Sequence, residues 1–257
     1  MSDSEWSEWY PLRNVTSTEE IPQGPGIYRI REVGTADNLF IEETGASIRG
    51  RLAQLTPLYG PYQVDSKRHT ALAGLQDIRD QTGCNFEVSF FEMESTAAVR
   101  KAQETIELFK HRMKFGYAPA LNFGAHHIAE GVREEPLPEL DYELSDQAAN
   151  DWCGLDWIDF DNSATQQEVS GVYRGLAAGL VVNIGQGKIA RQIGFDQKAA
   201  TAGKSTAKTK ALASIDAWQF VPTTGLTTRQ RLELVNDLIA LATIGTSKPP
   251  AAQFAAD

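Results

Sequence analysis

Short apolar runs and longer stretches of helical spacing alternate along both halves of the chain. In the first half, β-branched and aromatic residues predict strands over 27–30, 39–41 and 86–90. The turn residues 34–37 predict a hairpin between the first two strands. Helical spacing predicts helices over 47–54, 71–82 and 96–114. The second half repeats the pattern, with strands over 172–176, 180–184 and 218–221 and a helix over 228–243.

Local signals predict where several of these helices begin and end. Pro57 ends the first helix, and Gly83 is placed to cap the second in the left-handed conformation. Ser95 and Thr96 are both candidates for the N-cap of the third. Gly245 is expected to end the last helix. The apolar stripe predicted for the third helix consists of Ala98, Ala102, Ile106, Phe109 and Met113.

An acidic, proline-bearing stretch at 134–141 divides the chain into two similar halves. Proline removes a backbone donor and disfavours helix just before it, so we expect a linker over 131–150 between domains at 1–130 and 151–257. Gly26-Ile27-Tyr28 in the first half corresponds to Gly171-Val172-Tyr173 in the second. The parallel order of the segments that follow predicts an internal duplication.

Composition narrows the class of protein. The chain has 257 residues, of which 42% are hydrophobic and 23% charged, and its mean hydropathy is -0.32. These values are typical of a globular protein, and no apolar run reaches the ~18 residues that a membrane span needs. The acidic N-terminus does not predict a signal peptide. The only cysteines, Cys84 and Cys153, exclude a disulfide scaffold and favour the cytoplasm.

Charge is distributed unevenly. The net charge of -10 argues against non-specific binding of nucleic acid. The segment 187–214 is nevertheless basic, with only Asp196 opposing its cations. These residues are candidates for contacts with a nucleic-acid backbone, or they form a solvated segment that balances an acidic chain. They are Lys188, Arg191, Lys198, Lys204, Lys208 and Lys210.

The order of motifs in the first half is specific. Gly-Ile-Tyr is followed by a hairpin, by Phe-Ile-x-x-Thr-Gly, by a helix with Arg, by a strand, by a helix with Glu and by Pro-x-Leu-Asn. This order resembles the GIY-YIG nuclease superfamily over about residues 20–125, and more weakly in the second half. The resemblance implies an α/β (α+β) fold of two tandem domains, each a small three-stranded antiparallel sheet flanked by helices. It also implies cleavage of nucleic-acid phosphodiesters with one divalent metal, Mg²⁺ or Mn²⁺.

The resemblance places the site residues of the family on Tyr28, Arg51, Glu104 and Asn122. Two positions depart from the family pattern. Phe40 replaces the second tyrosine, and Glu42 stands where the glycine of the second motif is expected. Phe40 lacks the hydroxyl that would carry a proton or contact phosphate, and its alternative role is packing in the core.

The implied chemistry is coherent. Glu104 would hold the metal, and Arg51 would offer its fork of donors to phosphate oxygens. Tyr28 would carry the proton of the attacking water if the metal and Arg51 lowered its pKa. Asn122 would hydrogen-bond backbone or phosphate, or shape the turn that contains it. His69 is an added candidate for a phosphate contact or a proton carrier, with an exposed loop histidine as the alternative.

The second half departs further from the family. Tyr173 is kept, but Asn183, Gln192 and Val235 stand at the positions of the second tyrosine, the arginine and the glutamate. Glutamine carries no charge to offset a phosphate, and valine binds no metal. We expect a degenerate copy that serves packing, dimerisation or substrate binding.

Two hypotheses of function follow. The first is a metal-dependent DNA endonuclease with a catalytic first half. The second is a non-catalytic nucleic-acid-binding or assembly protein built on two degenerate copies of the fold. The tryptophan-rich segment 152–157 suggests an interaction surface, so a homodimer and membership of a larger defence or repair complex are open alternatives. A membrane partner is not expected.

Overall fold

The computed structural model describes residues 6–60, 69–123, 155–163, 166–203 and 205–255. The chain divides into two compact units, Met1–Pro136 and Leu137–Asp257, called unit 1 and unit 2 below. The predicted linker 131–150 lies outside the described residues, as do Lys204 and Cys153. No helix in the described ranges is long and apolar enough to cross a membrane.

The described residues form a mixed α/β structure with two four-stranded antiparallel sheets and six α-helices. Unit 1 contains β1 (Tyr10–Pro11), β2 (Gly26–Glu32), β3 (Asn38–Thr44), α1 (Ile48–Ala53), α2 (Leu72–Thr82), β4 (Phe86–Glu92) and α3 (Ala97–Phe115). Unit 2 contains β5 (Ile158–Asp159), β6 (Ser170–Ala177), β7 (Leu180–Lys188), α4 (Ile189–Thr201), α5 (Ala207–Ala213), β8 (Ala217–Pro222) and α6 (Thr228–Thr246). Short 3₁₀ helices span Leu12–Asn14 and Thr56–Tyr59.

The two units share one topology. The strand order is β1-β4-β2-β3 in unit 1 and β5-β8-β6-β7 in unit 2, and in both the helices follow the same strands. The expected three-stranded sheets are therefore wrong by one strand each. The added strands, β1 and β5, have two residues each, too few for an alternating pattern to be visible in the sequence.

The sheet of unit 1 is covered on both faces. Tyr28, Ile30 and Phe40 alternate onto the face that packs against apolar residues of α1 and α2. Ile27 and Ile41 point to the other face, where Leu108 of α3 covers them. Because β3 forms the edge of the sheet, side chains at its end lie at the border between the two helical layers.

Most helix ends agree with the sequence signals. Gly83 caps α2 with a φ of 69°, and the side chain of Thr96, not Ser95, accepts a hydrogen bond from the backbone N–H of Val99. Two expectations are wrong. Helix α6 runs past Gly245 to a left-handed Ser247 with a φ of 56°. Met113 is 46% exposed and lies outside the apolar stripe of α3.

Equivalent backbone contacts recur in the two units. A Cβ on Gly26 would overlap the backbone carbonyl of Phe91, and a Cβ on Gly171 would overlap that of Val221. The glycine of each Gly-x-Tyr motif therefore allows β4 or β8 to approach closely. Helices α3 and α6 both have 19 residues and begin after a threonine N-cap. When the two helices are aligned from their first residues, position 104 of α3 corresponds to position 235 of α6.

The outer edge of β3 is closed by residues that follow α3 in unit 1. The backbone N–H of Leu121 donates to the carbonyl of Leu39 at 2.9 Å. The amide of Asn122 accepts from the N–H of Ile41 at 3.1 Å and donates to its carbonyl at 2.8 Å. Pairing these groups protects an edge strand that would otherwise present unsatisfied donors and acceptors.

Unit 2 closes its edge strand in the same way with a different amide. The backbone N–H of Ala252 donates to the carbonyl of Val182 at 2.9 Å. The side chain of Gln253 accepts from the N–H of Ile184 at 3.2 Å. Gln253 is thus the counterpart of Asn122, although no sequence motif identifies it.

We expect Asn122→Ala to destabilise unit 1 by about 2–4 kcal/mol, because it leaves both polar groups of Ile41 without their partners. Gln253→Ala is the matched control, since it removes a single hydrogen bond from a half-buried site and costs about 1 kcal/mol. Scanning calorimetry of the full chain should show the larger drop in melting temperature for Asn122→Ala. Equal small shifts in both variants would contradict this account of the strand edge.

Candidate functional site

Three elements of unit 1 bring polar side chains to one carboxylate, that of Glu42. Tyr28 of β2 lies directly opposite Glu42 of β3 in the strand pairing. Arg51 projects from the last turn of α1, a helix that the side chain of Ser47 caps. His69 precedes α2. The structure therefore assembles three of the sequence-predicted site residues around a glutamate that the sequence marked only as a departure.

Arg51 holds Glu42 with both arms of its fork. Its Nε donates to Oε2 of Glu42 at 2.9 Å, and its Nη2 donates to Oε1 at 2.8 Å. Nη1 of the same guanidinium donates to Gln54 at 2.9 Å. Such a paired arrangement is the strong form of an arginine–carboxylate contact. The fork that was expected to meet phosphate is occupied by a carboxylate of the same chain.

Tyr28 and His69 form a hydrogen-bonded line behind Glu42. The backbone N–H of Ala71 donates to Nδ1 of His69 at 3.1 Å, which leaves the proton of the neutral ring on Nε2. Nε2 then donates to the hydroxyl of Tyr28 at 2.7 Å. The Tyr28 hydroxyl in turn donates to Oε2 of Glu42. Phe40 packs beside the imidazole of His69, with a ring-centroid distance of 5.7 Å.

Burial sets the protonation of this line. It lowers the pKa of His69 to about 4, which keeps the ring neutral at pH 7. Burial and the charge of Glu42 raise the pKa of Tyr28 well above its ordinary value. Burial also opposes ionisation of Glu42, but hydrogen bonds from Arg51 and Tyr28 outweigh it and keep the pKa of Glu42 below the usual value. Arg51 lowers the pKa of Tyr28 as expected, but its effect is smaller than the raising effects of burial and Glu42.

The four side chains of this cluster differ in their exposure to solvent. Tyr28 is 0% and His69 1% exposed, whereas the side chains of Arg51 and Glu42 are 24% and 18% exposed. A phosphate approaching from solvent can reach Arg51 and Glu42 but not Tyr28 or His69. The expectation that Tyr28 contacts the attacking water is therefore not met in this arrangement. His69 is a buried partner of Tyr28, not an exposed loop residue.

Glu104 lies on α3, beside the end of β3. Its carboxylate accepts a hydrogen bond from the backbone N–H of Glu43. Burial, then the charges of Glu42 and Glu43, raise the pKa of Glu104 to about 8. Arg51 neutralises Glu42, and Arg100 donates to Glu43 at 3.2 Å. Lys101 has only a minor effect on the pKa of Glu104, so this carboxylate has no strong counter-charge among the described residues.

A divalent cation fits Glu104 as a single-carboxylate site. The described residues contain no group of three or more histidine, cysteine, aspartate or glutamate side chains placed to hold one ion. A hard cation that keeps water and phosphate oxygens in most of its shell needs only one such ligand. A bound cation would supply the positive charge that the described residues near Glu104 do not provide. Asn122 is not part of this cluster, because its amide is bound to the backbone of Ile41.

Unit 2 builds a different cluster on the same scaffold. The hydroxyl of Tyr173 donates to Asp196 of α4 at 2.8 Å, and the amide of Asn183 donates to the same oxygen at 2.9 Å. Gly185 lies opposite Tyr173, where unit 1 has Glu42. Val235 is buried at the helix position equivalent to Glu104. Unit 2 thus pairs its tyrosine with a carboxylate but lacks the arginine fork and the acidic position on the last helix.

The basic residues of unit 2 are spread over several elements. Lys188 ends β7 and pairs with Glu168 at 2.7 Å. Arg191 lies over the ring of Phe195, with 5.4 Å between the guanidinium carbon and the ring centroid. Lys198 is exposed on α4 and Lys210 on α5. Lys208 is half-buried and lowers the pKa of Asp196 against the larger, raising effect of burial.

Comparison with protein-family models, curated proteins and solved structures gave no match for the chain. The resemblance to GIY-YIG nucleases therefore stays a prediction from the sequence motifs.

The raised pKa of Glu104 predicts a specific dependence of stability on pH. Between about pH 5 and 8 the folded state holds a proton on Glu104 that the unfolded chain, with a glutamate pKa near ~4.3, has lost. Stability should therefore fall through this window as pH rises, by up to about 1.4 kcal/mol per pH unit. Glu104→Gln mimics the protonated form and should lack this part of the fall in a thermal-unfolding series.

Divalent metal should reverse the loss, because a cation that binds only the folded state stabilises it. At pH 8.5, Mg²⁺ should raise the melting temperature of the wild type but not of Glu104→Gln. Lys101→Gln, which changes an exposed residue of the same helix, should respond to Mg²⁺ as the wild type does. If the stability of the wild type and of Glu104→Gln fell in parallel with pH, Glu104 would not be the group that loses its proton in this window.

Proposed function

We propose that unit 1 is a metal-dependent nuclease that hydrolyses phosphodiester bonds, with DNA as its substrate and Mg²⁺ or Mn²⁺ as its cofactor. The observation that carries this proposal is the convergence of Tyr28, Arg51 and His69, from three separate elements, on the carboxylate of Glu42. Glu104, which has no strong counter-charge among the described residues, lies within electrostatic range of the same carboxylate. The order of these residues along the chain supports a nuclease of the GIY-YIG type.

In the proposed reaction, Arg51 releases Glu42 and binds the substrate phosphate. A substrate phosphate has the same pair of acceptors as the Glu42 carboxylate and can take its place on the fork of Arg51. Glu42 then loses the hydrogen bonds from Arg51, which lower its pKa more than the one from Tyr28 does, and becomes a better proton acceptor. It takes a proton from water as the water oxygen bonds to phosphorus and the bond from phosphorus to the leaving oxygen breaks. Tyr28 and His69, still bound behind Glu42, position the carboxylate for this step.

Glu104 would hold the metal. When bound, a divalent cation supplies positive charge to the phosphate and to the leaving oxygen. The carboxylate must lose its proton to bind the cation, and its pKa of about 8 makes that loss easier as pH rises. Activity limited by metal binding should therefore increase with pH through the neutral range.

The second unit is proposed to bind the nucleic acid. Arg191, Lys198 and Lys210 are exposed on α4 and α5 and could contact backbone phosphates without reading sequence. The degenerate site of unit 2 gives no support for a second reaction centre.

A second candidate function is non-catalytic binding of nucleic acid or assembly of a complex. One observation favours it: Tyr28 is fully buried and Arg51 is already paired with Glu42. A retired site would keep these contacts because they stabilise the fold. The two candidates differ in what divalent metal does to bound nucleic acid.

A cleavage assay on supercoiled plasmid, single-stranded DNA and RNA with Mg²⁺ or Mn²⁺ distinguishes them. We expect the wild type to cut DNA, and both Arg51→Ala and Glu104→Gln to lose about 10²–10³-fold in rate, the loss typical of removing one group that stabilises transition-state charge. Lys101→Gln is the control and should cut at the wild-type rate. Melting temperatures would confirm that each variant is folded.

The outcome is decisive in either direction. Cleavage by Glu104→Gln at the wild-type rate would show that the activity does not come from this site. Failure of the wild type to cut any substrate, with retained binding, would favour the non-catalytic function.

A further inference from the structure

A cleft of about 250 Å³ opens on unit 1, on the face of the sheet opposite Glu42. Arg29 of β2 and Ile41 of β3 line it, and each is one residue away from the Tyr28–Glu42 pair, so both point to the other side of the sheet. Helix α3 forms the opposing wall. The cleft is therefore separate from the proposed nuclease site.

Aromatic and guanidinium groups alternate along one side of this cleft. The guanidinium of Arg29 lies 4.1 Å from the ring centroid of Trp6 and 4.7 Å from that of Trp9. Arg31 covers Trp9 at 3.7 Å. Flat cationic and aromatic faces of this kind are the surfaces on which nucleic-acid bases stack.

Two polar atoms of the lining have no hydrogen-bond partner among the described residues. They are Nε of Arg29 and Oδ1 of Asn38, and Asn38 is only 8% exposed. Burial lowers the pKa of Arg29 to about 10, with partial compensation from the charge of Glu107. A buried unpaired donor and acceptor are both costly, and a ligand that offers an acceptor to one and a donor to the other would remove that cost.

The charge of the cleft favours an anion. Arg29, Arg31, Lys110 and Lys114 line it together with Glu107, and Glu87 pairs with Arg31 at 2.7 Å, so the cations still outnumber these carboxylates. This concentration of cations occurs in a chain whose net charge is -10. Lys110 pairs with Glu107 at 3.2 Å, but its side chain is 45% exposed, so an incoming phosphate can reach it.

Unit 2 keeps the arginine–tryptophan contact of this cleft but not its lysines: the guanidinium carbon of Arg174 lies 4.2 Å from the ring centroid of Trp157. The positions of α6 that correspond to Lys110, His111 and Lys114 hold Leu241, Ala242 and Gly245. Arg174, the counterpart of Arg29, donates its Nε and Nη2 to Gln219 at 2.9 and 2.7 Å. The scaffold therefore does not require lysines at these helix positions or an unpaired Nε on this arginine, and both are features of unit 1.

We propose that this cleft binds a single nucleotide, with the base against the tryptophan–arginine surface and the phosphate on the lysines of α3. An amino or imino group of the base would donate to Oδ1 of Asn38. The volume is below the ~300 Å³ at which pockets for drug-sized ligands begin, so it suits one nucleotide and not a stacked pair or a duplex. A free nucleotide and the end of a strand share this chemistry.

Calorimetric titration of the full chain tests the proposal with the four 5′-mononucleotides, a 5′-phosphorylated tetranucleotide, inorganic phosphate and adenosine. We expect at least one nucleotide to bind tenfold or more tightly than either phosphate or adenosine alone. Lys110→Gln/Lys114→Gln should weaken that binding at least tenfold. Lys101→Gln, an exposed lysine of α3 outside the cleft, is the matched control and should have no effect.

A second variant tests the base contact. Asn38→Leu should weaken binding of the nucleotides several-fold and leave binding of phosphate unchanged. Tighter binding of the tetranucleotide would identify a strand end as the ligand, and tighter binding of mononucleotides a free nucleotide. No binding of any nucleotide, or equal binding of phosphate and nucleotides, would overturn the proposal.

The result is independent of the nuclease proposal. Arg51→Ala and Glu104→Gln change the other site and should bind the nucleotide as the wild type does. Loss of cleavage with intact nucleotide binding, or the reverse, would separate failure of one proposal from failure of the other.

Discussion

The paired hydrogen bonds between Arg51 and Glu42 are the interaction on which the candidate site depends. They join the edge strand β3 to α1, and through Tyr28 they also fix His69 at the start of α2. Removing either charge would leave the other half-buried without its partner, which is costly. The same pair occupies the donors that a phosphate would need. In the proposed function, Arg51 must therefore release Glu42, its partner in the folded structure, to bind phosphate.

Comparison of the two units separates the scaffold from the chemistry. Both keep the glycine that lets two strands approach, the helix that begins with a threonine cap and the amide that closes the edge strand. These contacts serve the fold, and they survive in a unit without the arginine fork. Glu42, Arg51 and Glu104 have no counterpart with the same chemistry in unit 2. This pattern is expected if one copy retained a reaction and the other kept only the architecture.

Much of the fold could be predicted from the sequence because the apolar spacing of the main strands and helices is regular. The repeat was also visible, since Gly26-Ile27-Tyr28 and Gly171-Val172-Tyr173 occupy equivalent strands. Strands β1 and β5 were not predicted because two residues are too few to show an alternating pattern. The end of α6 was not predicted because Ser247 adopts a left-handed conformation that is more common for glycine. Such features are decided by tertiary contacts, which local sequence does not display.

The sequence could predict several residues of the candidate site, but not the hydrogen bonds that join them. Tyr28, Arg51 and His69 are brought together, yet their meeting point is Glu42, which the motif marked as a departure. Strand register decides this outcome, because Glu42 lies directly opposite Tyr28 and within reach of α1. The role of Asn122 depends on the edge position of β3, and the cationic cleft depends on the alternate face of the same strands. Neither follows from residue spacing alone.

Competition between Glu42 and phosphate for Arg51 is central to the proposed function. Its most direct test is the equilibrium affinity for a labelled DNA oligonucleotide, measured without divalent metal, in wild type, Glu42→Gln, Arg51→Gln and the double variant. We expect about tenfold tighter binding by Glu42→Gln, roughly 1.4 kcal/mol, and loss of that gain when Arg51 is also replaced. Binding by Glu42→Gln no tighter than the wild type, or a gain that persists without Arg51, would contradict it.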